Sequence, residues 1–148
     1  MSNHTLSCVL LNENARLPAR QTRGSAGYDV SCCEHTVVPA RGRAMIGTGL
    51  KVFLDSDSMY IRVAPRSGLA TRGLFCVGGV VDVDYRGEIR VIMVNHTDQD
   101  FTFRVGDRIA QLIIERIATP RVVAVTEEEY ASKACPSERG EGGFGSTG

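Results

Sequence analysis

The chain has 148 residues, of which 43% are apolar and 23% charged, enough for one domain with a hydrophobic core. Its 17 basic and 17 acidic residues cancel, so there is no electrostatic reason to expect direct binding to nucleic acid or to a membrane surface. The first residues, MSNHTLSCVLL, hold an apolar run too short for a signal peptide or a membrane span. We expect an intracellular protein, in the cytoplasm or nucleus, or in a host-cell compartment if it is viral.

Short β-rich runs, separated by glycine, proline and Asx residues, follow one another along most of the chain. Apolar and polar residues alternate in several of them, as at Tyr60–Val63 and Phe101–Val105, which is typical of half-buried strands. Two stretches favour short helices: RSGLATRGL, and TEEEYASKA, where Thr126 and Glu129 have capping-box spacing. The pattern predicts an all-β jelly-roll or distorted β-barrel subunit with one short helix and a flexible glycine-rich C-terminal tail.

The apolar pattern fades after residue 130 and glycine becomes frequent. We therefore predict a β domain over residues 1–130 and a mobile arm over residues 131–148. The five cysteines are odd in number and form no CxxC pair, which favours neither a disulfide framework nor a zinc site.

Three internal motifs could carry chemistry. In APRSGLATRG, Arg66, Ser67 and Gly68 follow a strand at a sharp turn, which suits a polyphosphate but also suits a serine-capped junction. In GGVVDVDYRG, Asp82 and Asp84 could bind a metal, act as a base with its support, or form the polar edge of a hairpin; from the residues alone the hairpin is favoured. In GDRIAQLIIER, Gln111 interrupts an apolar run, so it either satisfies a core network or faces a site.

The chain ends in RGEGGFGSTG, a stretch too rich in glycine to hold one shape by itself. Dinucleotide and phosphate loops are rejected, because no helix follows to face the phosphates. Its backbone N–H groups could still bind an anion. A ligand or a partner subunit is expected to order it.

Five motifs in order, AGYDV, PRSGLATRG, GVVDVDYRG, GDRIAQLIIER and RGEGGFGSTG, closely resemble those of the homotrimeric dUTP diphosphatase (dUTPase) family. The resemblance covers about Leu17 to Gly148. It implies jelly-roll subunits that form a threefold trimer, with three active sites that each draw on all three chains. It also implies Mg²⁺-assisted hydrolysis of dUTP to dUMP and pyrophosphate, which lowers dUTP, prevents uracil incorporation into DNA and supplies dUMP for thymidylate synthesis.

The resemblance also implies roles for individual residues. Asp82 matches the catalytic aspartate that activates water, Asp84 supports it, and Gln111 holds phosphate or the water. Asp29 meets the hydration shell of Mg²⁺ rather than the ion itself. The positions implied in substrate binding are Arg66, Ser67, Gly68, Gly79, Val80, Val81, Asp82, Tyr85, Gln111, Arg139, Phe144, Gly145, Ser146 and Thr147.

The resemblance implies a distinct task for several members of that set. The hairpin backbone over residues 79–82 reads uracil, and Tyr85 packs on the deoxyribose and excludes a ribose 2′-hydroxyl. Arg139 grips the γ-phosphate and Phe144 stacks on uracil. Ser146 and Thr147 hydrogen-bond the terminal phosphate.

Two other functions compete with this interpretation. A dCTP deaminase would have a similar fold and a similar trimer. However, the characteristic deaminase motif is not visible in this sequence, and dCTP deaminases lack the Gly-Phe-Gly ending that this chain has. Zinc deaminases are excluded, because no HxE followed by PCxxC is present. A regulatory binding protein on the same fold predicts damage to Asp82, Gln111 or the tail, yet all are intact, and both roles could coexist.

Overall fold

The computed structural model of the chain describes residues 4–145. The chain divides into two compact units, Met1–Ala118 and Thr119–Gly148. The predicted boundary at residue 130 and the predicted mobility of the arm are not tested by this division and stay predictions. Among residues 4–145, no helix is long and apolar enough to cross a membrane.

The first unit is built from strands. Its elements in chain order are β1 (Leu6–Leu10), β2 (Tyr28–Ser31), β3 (Thr36–Val38), β4 (Arg43–Gly47), β5 (Leu50–Leu54), β6 (Met59–Ala64), α1 (Ser67–Ala70), β7 (Leu74–Val77), β8 (Val80–Val81), β9 (Arg90–Asn95), β10 (Phe101–Phe103) and β11 (Arg108–Arg116). In the second unit, the part that the structure describes forms one helix, α2 (Glu127–Lys133).

The strands pair antiparallel in four sheets. The largest has the order β2-β11-β6-β8, a three-stranded sheet has the order β4-β9-β7, and β1-β5 and β10-β3 form two-stranded sheets. Neighbours in the sheets are mostly distant in sequence, as in Greek-key and jelly-roll connectivity. The predicted all-β jelly-roll class is confirmed.

The core lies under the inward faces of these sheets. Along β6, Met59, Ile61 and Val63 are buried while Tyr60 and Arg62 are only half-buried, as the alternation in the sequence predicts. In β11, Leu112 is fully buried on the same inward face. Burial of one such side chain stabilises the fold by roughly 1.5–3 kcal/mol, so these residues fix which face of each strand looks outward.

Both helices occur where the sequence predicts them, so residues 4–145 contain two short helices, where the predicted fold class had one. α1 follows β6 directly and buries Leu69. α2 begins at the predicted capping box: Thr126 Oγ1 accepts from the Glu129 N–H at 3.2 Å, and Glu129 Oε2 accepts from the Thr126 N–H at 2.9 Å. These contacts satisfy two N–H groups that the helix itself cannot pair.

All five cysteines are free thiols. Cys32 is fully buried and donates from Sγ to the Arg104 carbonyl at 2.7 Å. Burial raises the pKa of the Cys32 thiol, which disfavours the reactive thiolate. Cys32 therefore acts as a packing residue.

Candidate active site

Strand register brings three of the predicted motifs together. In the largest sheet, Gln111 on β11 lies opposite Asp29 on β2 and, on its other side, opposite Ala64 on β6. Ala64 ends β6, so Pro65 and Arg66 follow at the same edge of the sheet. Residues from AGYDV, PRSGLATRG and GDRIAQLIIER thus meet in one row.

Asp29 is the centre of this row. Its side chain is only 12% exposed, and both of its carboxylate oxygens accept from guanidinium groups. Arg66 Nε donates to Oδ1 at 3.0 Å, and Arg108 Nη1 donates to Oδ2 at 3.2 Å. Because Arg66 binds Asp29 through Nε, its position is fixed while other N–H groups remain for a ligand.

Arg108 was not among the residues predicted from the sequence. On a regular strand Arg108 and Gln111 would point to opposite faces, since side chains alternate. The pairing of β11 with β2 is irregular between Arg108 and Ala110, and this β-bulge turns Arg108 towards Asp29. The irregularity follows Gly106 and Asp107, which precede the strand, so the Gly-Asp turn is the one sequence signal that could have drawn attention to Arg108.

Gln111 lies in the row and is held by a hydrogen bond from Nε2 to the Pro65 carbonyl at 2.8 Å. Gly27 lies against it so closely that a Cβ at this position would collide with Oε1 of Gln111. Gln111 is half-buried. The structure therefore favours the alternative in which Gln111 faces a site, and it adds Gly27 as the residue that leaves room for the amide.

Three arginines surround a cavity beside this row. The cavity measures about 340 Å³, and its lining includes Arg66, Arg72 and Arg108, one carboxylate, that of Asp107, and the ring of Phe101. The Arg72 guanidinium carbon lies 4.7 Å from the centroid of the Phe101 ring, a cation–π contact. Such a concentration of cations in a protein with no net charge favours an anionic ligand.

A charged network continues along the outward face of the same sheet. The Tyr60 hydroxyl donates to Glu115 Oε2 at 2.6 Å, and Arg62 Nε donates to Oε1 at 2.7 Å. The Tyr60 hydrogen bond, followed by that of Arg62, lowers the pKa of Glu115, and the bond to Glu115 raises the pKa of Tyr60. This carboxylate thus stays ionised on the same face of β11 as Gln111, four residues further along the strand.

The GGVVDVDYRG motif forms a second group. Gly78 and Gly79 have φ of 72° and 92°, in the left-handed region that favours glycine. A Cβ on Gly79 would collide with the Val63 carbonyl, and the Val63 N–H donates to the Gly79 carbonyl at 2.8 Å. This close approach places β8 at the free edge of the largest sheet.

A cavity of about 250 Å³ lies beside β8. Gly79, Val80, Val81 and Tyr85, all predicted from the sequence, line it together with apolar residues from β4 and β9 and with the charged side chains of Glu88 and Arg90. The Tyr85 hydroxyl donates to the Glu88 carbonyl at 2.9 Å, which holds the ring in place. Asp82 is exposed and follows the strand, at the start of a turn in which the Tyr85 N–H donates to the Asp82 carbonyl at 3.1 Å.

The second unit contains the described part of the last motif. Arg139 Nε donates to the Gly142 carbonyl at 2.7 Å, and the Gly142 N–H donates to the Arg139 carbonyl at 2.9 Å. The Phe144 side chain is fully exposed, and φ is positive at Gly140, Phe144 and Gly145. Ser146 and Thr147 lie outside the described residues.

The predicted residues of the first unit thus form two groups whose cavities share no lining residue. One group presents guanidinium groups around a carboxylate, and the other presents a small cavity with an edge strand. A β-sheet protein with these two sites is suited to bind an anionic small molecule that also has a compact, partly apolar part.

Comparisons with known proteins identify the family to which such a protein belongs. A sequence model of the dUTPase family matches residues 13–148. The deoxyuridine 5'-triphosphate nucleotidohydrolase of Oryza sativa subsp. japonica is 52% identical over 139 residues, which are 93% of this chain and 77% of the rice protein. That of Yarrowia lipolytica is 46% identical over 145 residues, 97% of this chain and 89% of the yeast protein.

Solved structures agree with the sequence comparison. The Staphylococcus bacteriophage 80alpha dUTPase with dUPNHPP has a TM-score of 0.87 to this chain at 31% identity, and 99% of each chain is covered. A mutant dUTPase from phage phi11 of S. aureus, described with a structural Mg(II) ion, has a TM-score of 0.76 at 27% identity and covers 83% of this chain and 97% of its own. The chain belongs to the dUTPase family. The resemblance of the five motifs and the predicted enzyme class are confirmed.

The contact between Gly27 and Gln111 leads to a stability prediction. Gly27→Ala adds a Cβ where the Gln111 amide lies, so Gln111 must leave the Pro65 carbonyl. We expect the free energy of unfolding to fall by about 1–3 kcal/mol, as for other overpacked sites. Urea unfolding followed by circular dichroism measures this change.

Gly24→Ala is the matched control, because a Cβ at Gly24 meets no atom within 4 Å. It should change the free energy of unfolding by less than about 0.5 kcal/mol. Equal stability of the Gly27→Ala variant and the parent would contradict the assigned contact.

Proposed function

We propose that the protein hydrolyses dUTP to dUMP and pyrophosphate by attack of water on the α-phosphate, assisted by Mg²⁺. The observation that carries this proposal is the row of Asp29, Gln111 and Arg66 created by strand register, in a chain of the dUTPase family. In the cell this reaction would lower dUTP, keep uracil out of DNA and supply dUMP for thymidylate synthesis.

The guanidinium cluster binds the triphosphate in this proposal. Arg66 is held by Asp29 and keeps N–H groups for phosphate oxygens, and Ser67 and Gly68 begin α1, where backbone N–H groups lack partners within the helix. Arg108, which shares Asp29 with Arg66, adds a second cation at the same place. Gln111 lies in the row and positions a phosphate oxygen or the attacking water.

The cavity beside β8 binds deoxyuridine. Because β8 pairs with β6 on one side only, the backbone groups on its other edge are available to the polar edge of uracil. A site that pairs with these groups rejects cytosine, whose donors and acceptors do not match, and a close backbone approach rejects the thymine methyl by overlap. The tethered Tyr85 ring packs on the deoxyribose and leaves no space for a 2′-hydroxyl.

Asp82 acts as the general base. It lies at the end of the strand that lines the uracil cavity, is exposed to solvent, and can accept a proton from a water molecule directed at the α-phosphate. Asp84, two residues on, supports the turn. The remaining requirements are charge neutralisation on the phosphates and exclusion of bulk water.

Asp29 fits a hydrated Mg²⁺. Mg²⁺ keeps most of its waters and is usually held by one or two carboxylates together with substrate phosphates, and Asp29 lies beside the arginines proposed to bind phosphate. Both carboxylate oxygens of Asp29 already accept from guanidinium groups, so contact through water is the proposed mode. When bound, Mg²⁺ neutralises phosphate charge.

The enzyme acts as a homotrimer in this proposal. The two groups of site residues have separate cavities in one chain, which supports a site assembled from different copies. The arm from a further copy closes the site: Arg139 binds the γ-phosphate, Phe144 stacks on uracil, and Gly145, Ser146 and Thr147 cover the terminal phosphate. Its glycine-rich sequence and exposed Phe144 ring support order imposed by substrate.

Removing the general base should separate binding from chemistry. Asp82→Asn keeps the size and polarity of the side chain but cannot take a proton, so kcat for dUTP should fall by about 10²–10⁴-fold while the Kd for dUPNHPP changes little. Asp84→Asn is the matched control on the same turn and should retain most of the parent kcat. Turnover of the Asp82→Asn variant at the parent rate would exclude Asp82 as the base.

Deleting residues 139–148 should remove the closing arm. We expect kcat for dUTP to fall by at least about tenfold, because the water-excluded, phosphate-bound state no longer forms. Light scattering after size exclusion should still give a trimer, since the arm covers the site and does not build the β core. A truncated protein with the parent kcat would refute the closing role.

A further inference from the structure

The turn that carries Asp82 has little support from its own backbone. β8 is two residues long and ends at Val81, and the turn after it is closed by the single bond from the Tyr85 N–H to the Asp82 carbonyl. Asp82 and Asp84 are exposed. A general base must be held within a few tenths of an ångström of its water, because displacement by about 1 Å can cost 10²-fold in rate.

Arg86 supplies two further contacts to this turn. Its Nη1 donates to the Val83 carbonyl at 2.7 Å and to the Tyr85 carbonyl at 3.0 Å. These carbonyls lie on either side of Asp84, so one guanidinium fixes two peptide planes of the turn. The turn leads from Asp82 through Val83 and Asp84 to Tyr85, whose ring lines the cavity proposed for uracil.

The same guanidinium also contacts another sheet. Its central carbon lies 5.3 Å from the centroid of the Phe53 ring on β5, a cation–π contact. Phe53 is held outward because its neighbours Val52 and Leu54 are buried in the core. Arg86 therefore connects the turn to a strand whose position is set by core packing.

We propose that Arg86, stacked on Phe53, is a positioning residue that holds Asp82 in place for catalysis. The proposal rests on the proposed function, in which Asp82 is the base. Arg86 does not line the cavity proposed for uracil; its hydrogen bonds go to the backbone carbonyls of the turn, and its ring contact is with Phe53. Its effect therefore acts through the geometry of the turn.

Arginine suits this task for physical reasons. Its planar guanidinium can present one face to an aromatic ring while its edge donates two hydrogen bonds, whereas a lysine ammonium has no flat face. Arg86 is exposed and Phe53 is 45% exposed, outside the core, so their loss should affect global stability little. Catalysis and stability should therefore respond differently to their substitution.

The test is steady-state dUTP hydrolysis by the full-length trimer, with thermal unfolding measured on the same samples. Arg86→Ala should lower kcat by at least about tenfold and change KM by less than about threefold, because a displaced base slows the chemical step more than binding. Arg86→Lys should recover only part of the loss. Arg41→Ala is the control: Arg41 is exposed and pairs with Asp98 at 2.7 Å, away from this turn, and the variant should keep the parent kcat.

Variants of Phe53 test the stacking without touching the hydrogen bonds. Phe53→Leu should lower kcat by less than Arg86→Ala, and Phe53→Trp should keep it, since indole is the best cation–π partner. The double variant Arg86→Ala/Phe53→Leu should be no slower than Arg86→Ala, because Arg86→Ala alone already removes the contact between the guanidinium and the Phe53 ring.

Three results are decisive against the proposal. Parent-like kcat for Arg86→Ala while Asp82→Asn is inactive would overturn the positioning role and leave the proposed function standing. A fall in kcat that accompanies an equal loss of thermal stability in all variants would show a merely structural role. A parent protein that does not hydrolyse dUTP would overturn the proposed function itself, with or without an effect of Arg86.

Discussion

The antiparallel pairing of β11 with β2 on one side and β6 on the other is the constraint on which the site depends. This pairing places Asp29, Gln111 and the end of β6 side by side. A slip of one residue would turn Gln111 into the core and Leu112 out to solvent. Because Leu112 is fully buried, the slip would cost roughly 1.5–3 kcal/mol for that side chain alone, so core packing determines where the polar groups of the site lie.

The arginines of the site are arranged around the carboxylate of Asp29. Two guanidinium groups share its carboxylate, and a third arginine lines the same cavity, so the cluster keeps a positive excess in a chain without net charge. A carboxylate that is largely removed from solvent is stabilised by such pairing. In the proposed function, this pairing keeps the arginines in place before substrate arrives, which lowers the cost of ordering them on binding.

Much of this fold and part of this site could be predicted from sequence. The alternation of apolar and polar residues in β6 and the capping box of α2 depend only on residues close together in the sequence, and the structure confirms both. Arg108 could not be predicted, because a bulge reversed the face expected from a period of two. The contact of Arg86 with Phe53 joins residues 33 positions apart and depends on how two sheets meet, so no local pattern indicates it. The roles of the individual site residues, those of the arm included, stay predictions.

The central claim is that this chain is selective for the uracil base and the deoxyribose of a triphosphate. Its most direct test measures pyrophosphate release from dUTP, dTTP, dCTP and UTP in parallel, each with Mg²⁺ and with excess chelator. We predict rapid release from dUTP, strongly reduced by chelator, and little from the other three nucleotides. Release from none of them, with dUTP still bound, or ammonia from dCTP, would contradict the account.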